Sequence, residues 1–393
     1  MKVSLFYLPG VGSREQVEGG LAGLRGDLYQ EMLSEVTAQA RLADELGYDS
    51  ISFTEHHFHV EGFELSNNPV LLDLYIAMQT KRIRVGQLGI VLPAQNPIRV
   101  AEDIAMLDHM SGGRANAGFA RGYQRRWVDT MAQQLHGIHG AQPGQHDALD
   151  QANREAYEEH FRIIKRAWTE DLFDFQGKFW KIPVPGTPWD IDATRKWGAG
   201  LGADNTVRQL GVVPKPVQKP HPPIFQPFAS SENTIRWCAR EQVTAVLPAM
   251  RLGLQNHLYD VYQEESMMQG RELARGQGLG VLRDVIICDT DEEAMGWWAH
   301  GAAFCGAAWF APFHFGDVLR EPGQAAGPDP AEMMRNGTLL VGTVDTVTRQ
   351  LEQLVSQTPV EWIFAWMYNG LIPHAVNMKT IELLKTKVLP RFE

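Results

Sequence analysis

The chain has 393 residues, 44% hydrophobic and 21% charged, a balance that suits a soluble globular protein with a large core and excludes disorder. Its formal net charge of -11 argues against nucleic acid or an anionic membrane surface as partner, and no segment reaches the length of a membrane span. Cys238, Cys288 and Cys305 are widely spaced and form no disulfide framework, so reduced thiols and a cytoplasmic location are expected.

Val3–Leu8 reads as a first strand, too short for a signal peptide and stopped by Pro9-Gly10. After the glycine-rich stretch Pro9–Gly26, Leu28–Leu46 carries a helical apolar stripe closed by Gly47. Asp49–Thr54 is a second strand, and Asn68–Thr80 a helix with Pro69 in its first turn. Ile83–Leu92 is a third strand, Pro97–Met110 a helix, Arg114–Ala120 a fourth strand and Ala156–Asp171 a helix. Leu172–Pro222 then loses all periodicity but holds Phe179, Trp180, Trp189 and Trp197, too many aromatics for disorder, and reads as an ordered insertion.

Alternation resumes with strand Pro223–Ala229, helix Glu232–Glu241, strand Val243–Pro248, helix Leu254–Met268 and strand Gly280–Cys288. A second irregular stretch, Gly301–Asn336, precedes helix Val344–Val355, strand Glu361–Trp366 and helix Pro373–Leu384. Eight strand–helix units predict an α/β chain folded as one (β/α)8 TIM barrel over residues 1–393. Its insertions follow the fourth strand–helix unit (about 172–222) and the seventh strand (about 301–336). An open dinucleotide-binding sheet is disfavoured, because Pro9 and the long loop spoil the glycine turn after the first strand.

In such a barrel the strand ends share one face, and the chemistry-bearing residues fall there. Glu55-His56-His57-Phe58 ends the second strand. Neighbouring residues of an extended chain diverge, so one of the two histidines at most addresses the mouth, and no ligand-spaced set points to a metal. A histidine there suits acid–base work or a hydrogen bond to a cofactor, as an imidazole titrating near neutrality; histidines merely satisfied in a loop are the plain alternative. Arg121-Gly122 ends the fourth strand, where a guanidinium can clamp a phosphate or pair with a loop carboxylate. Ser230, Ser231 and Thr234 open the helix after the fifth strand, where hydroxyls cap free N–H groups and the same N–H groups can seat a phosphate. Gly86 and Gly89 interrupt the third strand, marking a bulge or the close approach of another backbone or a ligand.

The text from Glu55-His56-His57-Phe58 through Asn68-Pro69, Val85-Gly86, Ile90-Val91-Leu92-Pro93, Ala101-Glu102-Asp103, Leu107-Asp108, Gly113-Arg114 and Arg121-Gly122 resembles the bacterial luciferase-like flavin-dependent monooxygenases, in their reduced-FMN-dependent branch. Val341-Gly342-Thr343 and Asn369-Gly370 also fit. The resemblance implies a two-component monooxygenase: a separate flavin reductase supplies reduced FMN, and dioxygen reacts through a C4a-(hydro)peroxyflavin to oxygenate a small organic substrate. FAD is the alternative cofactor. Baeyer–Villiger insertion and hydroxylation, on an aldehyde, ketone or polyketide-like substrate, all stay open.

By the same resemblance His56 is the catalytic histidine and Glu55 the carboxylate beside the flavin. Leu88-Gly89 holds a non-proline cis peptide against the ring, while Arg121, Ser230, Ser231 and Thr234 bind the phosphate. Gly301–Asn336 falls where the family has a mobile lid, and a homodimer through the helices of Asn68–Met110 is implied. Two positions depart from the luciferases: Ser230 replaces a glutamate, and Ala120 a reactive cysteine, which points away from light emission. A deazaflavin-dependent oxidoreductase and a flavin-binding protein without turnover are the rival readings.

Overall fold

Eight short segments, almost wholly buried, pair in parallel and close on themselves. In chain order they are β1 (Lys2–Tyr7), β2 (Ser50–Phe53), β3 (Arg84–Gln87), β4 (Ala115–Ala120), β5 (Ile224–Gln226), β6 (Thr244–Leu247), β7 (Leu279–Ile287) and β8 (Trp362–Met367). β1 lies between β2 and β8, with Lys2 opposite Trp362 and Tyr7 opposite Met367, and β7 joins β6 to β8. The expected (β/α)8 TIM barrel is therefore the fold. The computed structural model describes residues 1–321, 323–324 and 329–392. It falls into two units, one of Met1–Ile90, Asn116–Phe119 and Pro223–Glu393, the other of Val91–Ala115 and Ala120–Pro222.

The first unit holds the barrel with helices α1 (Gly26–Leu46), α2 (Pro69–Gln79), α5 (Glu232–Glu241), α6 (Leu252–Met268), α7 (Asp291–Trp298), α8 (Val344–Gln357) and α9 (His374–Leu383). Their starts follow capping chemistry: the Asn68 carboxamide accepts from the Leu71 N–H at 3.0 Å ahead of Pro69, and Thr290 and Thr343 cap α7 and α8 in the same way. The third strand is shorter than expected. It stops at Gln87, passes through Leu88-Gly89, and resumes only as Ile90–Val91 before a 3-10 turn at Leu92–Ala94. The reason is the neighbouring backbone: a Cβ on Gly86 would lie 2.6 Å from the Asn116 Cβ, and one on Gly89 2.6 Å from the Gly118 carbonyl carbon.

The second unit holds α3 (Pro97–Met110) and α4 (Ala148–Thr169), joined by a Trp168 indole donating to the Ala101 carbonyl at 2.9 Å. Helix α4 begins eight residues before the expected Ala156, because Asp147 accepts from the Leu149 and Asp150 N–H groups and caps it. The aromatic insertion is ordered, as expected. The Glu159 carboxylate of α4 accepts three backbone N–H groups, from Lys178, Phe179 and Trp180, and so pins the hairpin Phe175–Gln176/Lys181–Ile182. Burial pushes His160 down to about 4, and its neutral ring takes a hydrogen bond from the Trp180 indole at 2.7 Å.

The second insertion is less irregular than expected. Ala299–Ala303 and Gly306–Phe310 continue α7 as wide π turns, followed by 3-10 turns at Ala311–Phe313 and Phe315–Leu319 and a short helix at Pro330–Arg335. Pro322, Ala325, Ala326, Gly327 and Pro328 of this insertion lie outside the described residues, as does Glu393. Leu339–Gly342, not foreseen as a strand, pairs with the far half of β7.

Candidate active site

The carboxyl end of β2 runs into Thr54-Glu55-His56-His57, and Phe58, at φ 64°, turns the chain back on itself. The loop closes through the His56 N–H on the Ser66 carbonyl at 2.9 Å and the Leu65 N–H on the Pro9 carbonyl at 2.7 Å. This closure delivers the fully buried Glu64 to the two histidines of its own loop. Glu64 Oε1 lies 3.5 Å from His56 Nε2, and Oε2 lies 3.2 Å from His59 Nε2. On the other side of the His56 ring, Nδ1 is 3.0 Å from the Thr54 hydroxyl. His57 turns away to Glu55, Nε2 to Oε1 at 3.1 Å. The divergence of the two histidines is thus what an extended strand end requires, each meeting a different carboxylate.

Burial drives the His56 pKa well below its usual 6.5, and the neighbouring His59 and His57 push the same way. The expectation of an imidazole titrating near neutrality is corrected: His56 is a neutral ring at neutral pH. Glu64 stands 3.5 Å from His56 and 3.2 Å from His59, and among the described residues no group of three or more His, Cys, Asp or Glu is placed to hold a metal ion.

Beside this strand end, the Leu88 N–H donates to the Phe53 carbonyl at 2.6 Å, and the Leu88–Gly89 peptide is cis, at the place where the sequence led us to expect one. The buried Asp73 of α2 accepts from the Gln87 carboxamide at 2.5 Å and holds the preceding residue. Ser231 caps α5, accepting from the Thr234 N–H at 3.3 Å and donating to its hydroxyl at 2.9 Å, with Ser230 one residue before. Glu232 in the same turn is engaged by Arg236 at 2.8 Å. Arg121 belongs to the second unit, where its guanidinium pairs with the Asp150 carboxylate and donates to Asn153 Oδ1 at 3.0 Å.

An aromatic cluster fills the strand ends of the first unit. Trp366 stands edge-on to Phe6 at 5.4 Å, to Phe228 at 6.2 Å and to Phe310 at 5.5 Å, and stacks on Tyr368 at 5.1 Å. Phe310 and Trp309 come from the π-turn segment after α7, and two indoles tie the end of α7 and this segment to carboxylates. Trp298 Nε1 donates to Asp284 at 2.9 Å, and Trp309 Nε1 to Glu64 at 2.9 Å. Burial raises the Asp284 pKa, an effect partly offset by its bonds from Trp298 and Tyr368. The pocket left beneath this segment, lined by Leu8, Gly10, Phe63, Phe310, Trp366 and Tyr368 among others, has room for about one water molecule.

Sequence reasoning missed Glu64 and Thr54, while Trp309 is one of several tryptophans that could line a pocket. Thr54 had a signal, lying two residues before His56 just past the end of the same strand. Glu64 had none, since it meets Trp309 across 245 positions of chain.

The barrel gathers these side chains at the carboxyl ends of its strands. A profile of the luciferase-like monooxygenases matches residues 1–361, and the chain belongs to that family. It is 25% identical over 328 residues to 3,6-diketocamphane 1,6-monooxygenase of Pseudomonas putida, covering 80% of this chain and 81% of that one. It is also 25% identical over 273 residues to the oxygenase component of the flavin-dependent trigonelline monooxygenase of Acinetobacter baylyi, covering 68% and 61%. A solved structure of the oxygenating constituent of 3,6-diketocamphane monooxygenase from Pseudomonas putida, a type II Baeyer–Villiger monooxygenase in complex with FMN, superposes with a TM-score of 0.74 at 22% identity. It covers 100% of this chain and 99% of that one, a likeness of fold. Among the described residues no helix is long and apolar enough to cross a membrane.

Proposed function

We propose that this chain is the oxygenase component of a two-component system that takes reduced FMN from a separate reductase and oxygenates a small carbonyl compound, in the manner of a Baeyer–Villiger enzyme. The observation that carries the reading is His56: a buried, neutral imidazole at the end of β2, flanked by Thr54 and Glu64, in a member of this family.

The residues present fit a phosphorylated flavin by their donor chemistry. The start of α5 offers N–H groups at the positive end of a ten-residue helix together with the hydroxyls of Ser230, Ser231 and Thr234, which suits a phosphate. Arg121 is proposed as a further phosphate contact on the strength of the family pattern. Leu88, Phe6, Phe228 and Trp366 belong to one apolar cluster at the strand ends, which suits a flat ring system once the segment packed on it moves aside. When bound, the reduced flavin supplies the electrons that activate dioxygen, one oxygen atom going to substrate and the other to water.

His56 takes a proton at one ring nitrogen or gives one from the other without a standing charge, which is the property an acid–base group needs in an apolar site. Glu55, held by His57, keeps a second carboxylate at the same strand end. The segment carrying Trp309 and Phe310 covers the strand ends and excludes water; substrate entry requires it to lift. The proposal includes a homodimer and a cytoplasmic location.

The test is oxygen uptake by the purified chain with FMN, a reductase and a panel of ketones and aldehydes. His56→Ala is expected to bind flavin as the parent does while losing oxygenated product. Unchanged product yield removes His56 from the chemistry, and reduced-flavin oxidation that no carbonyl compound redirects into product overturns the oxygenase reading.

A further inference from the structure

We propose that Glu64 is a positioning residue, whose carboxylate joins the covering segment Ala299–Leu319 to the His56 ring and selects the tautomer that ring presents. The inference rests on the reading of His56 as the acid–base group.

The two oxygens of Glu64 do different things. Oε2 accepts the Trp309 indole N–H at 2.9 Å and faces His59 Nε2 at 3.2 Å. Oε1 faces His56 Nε2 at 3.5 Å. Trp309 is held in that pose by its surroundings, stacking on Phe63 with ring centres 5.4 Å apart and standing edge-on to His59 at 4.8 Å. A carboxylate only accepts, while the Thr54 hydroxyl on the opposite side of the His56 ring can accept or donate. The carboxylate therefore decides the tautomer: the proton sits on Nε2, and Nδ1 accepts from Thr54. At 3.5 Å the contact to His56 is long and works through charge more than through a short hydrogen bond. Its strength depends on how the carboxylate is turned, and the indole on Oε2 sets that rotation. When the segment bearing Trp309 lifts, Oε2 loses the indole and keeps His59 Nε2, and the carboxylate turns toward that partner. The seating of the cover is thereby reported to the imidazole through one side chain.

Glu64→Gln separates the two halves of this device. The glutamine oxygen can keep the indole bond, so its amide faces His56 as a donor and reverses the tautomer to Nδ1–H. The experiment is ring-nitrogen NMR of His56, with amide hydrogen exchange of residues 299–319, in the full chain without flavin. E64Q is expected to move the ring proton from Nε2 to Nδ1 and to leave exchange in the segment unchanged. W309F is expected to speed that exchange at least about tenfold, an opening reported by the amides themselves. It should also shift the His56 nitrogens, and that shift should vanish in the E64Q background. Glu64→Asp, which only lengthens the contact, gives an intermediate ring spectrum and serves should the glutamine variant not fold. With FMN and reductase present, E64Q should lower product per dioxygen at least about tenfold with KM unchanged, as expected of a histidine in the wrong tautomer. An unaltered His56 tautomer in E64Q, or a W309F shift of equal size in both backgrounds, overturns the proposal. If His56→Asn retains full product yield, the reading of His56 fails instead, and the NMR result is untouched by it.

Discussion

Substituting Gly118 by alanine tests the packing that frames the Leu88-Gly89 corner. A Cβ at this position would lie 1.9 Å from the Gln87 carbonyl oxygen and 2.8 Å from its carbon, both backbone atoms of β3. Ordinary contact needs about 3.5 Å, so β3 and β4 would have to part locally by roughly 1.5 Å. Overpacking of this kind costs about 1–3 kcal/mol, and weakening one or two interstrand hydrogen bonds adds about 1 kcal/mol each. The sum is about 2–5 kcal/mol. With a urea slope of about 3 kcal/mol/M or more for a chain of this size, the midpoint should fall by about 1 M. Gly296 in α7 is the control: nothing lies within 4 Å of its added Cβ, and alanine there should gain about 0.5–1 kcal/mol. Equilibrium unfolding followed by far-ultraviolet circular dichroism measures both. Equal midpoints for Gly118→Ala and the parent would refute the backbone contact and, with it, the explanation of why the third strand breaks where it does.

Three further outcomes follow from the geometry. Ser231→Ala removes the cap of α5, costing about 1 kcal/mol of stability, and should weaken FMN binding while leaving riboflavin binding as it was; equal losses for both ligands would take the phosphate away from this helix. Glu35, half-buried beside Glu31, has its pKa pushed up to about 7, first by burial and then by that neighbour. The folded chain then holds this proton more tightly than the unfolded one, so the stability it contributes is full below about 4.5 and lost as pH rises through about 7; Glu35→Gln should flatten the fall in Tm across that window. For His56 the sign reverses, since a depressed folded pKa means stability lost as pH falls below the unfolded value of 6.5. His56→Asn should therefore tolerate mild acid better than the parent in thermal unfolding at a series of pH values.

The barrel was legible because its strands are short apolar runs and its helices carry their own punctuation. Pro97–Met110 and Glu232–Glu241 have the bounds expected, each preceded by a capping side chain, Asn96 and Ser231. Helix α4 was placed late because its first two turns, from Ala148, are mostly polar and only the Asp147 cap marks them. The stretch after α7 was read as irregular because π turns rich in alanine and glycine break the usual helical stripe. Leu339–Gly342 is four residues long and owes its pairing to β7, a partner more than fifty residues earlier. At the strand ends, the position of Glu55-His56 could be read from the β/α alternation, and the cis Leu88–Gly89 corner from the family resemblance. Glu64 could not, because its contacts depend on a loop folding back and on an indole from a distant segment.

The pairing of β1 with β8 has a cost during synthesis. Lys2 finds Glu361 359 residues further on, at 3.0 Å, so the first strand emerges from the ribosome long before its outer neighbour exists. Until then one edge of a nearly finished cylinder stays open, with apolar groups such as Leu5 and Phe6 bare to other chains. Slow, aggregation-exposed maturation is the expected result, and production at reduced temperature or with added chaperones should raise the recovered fraction.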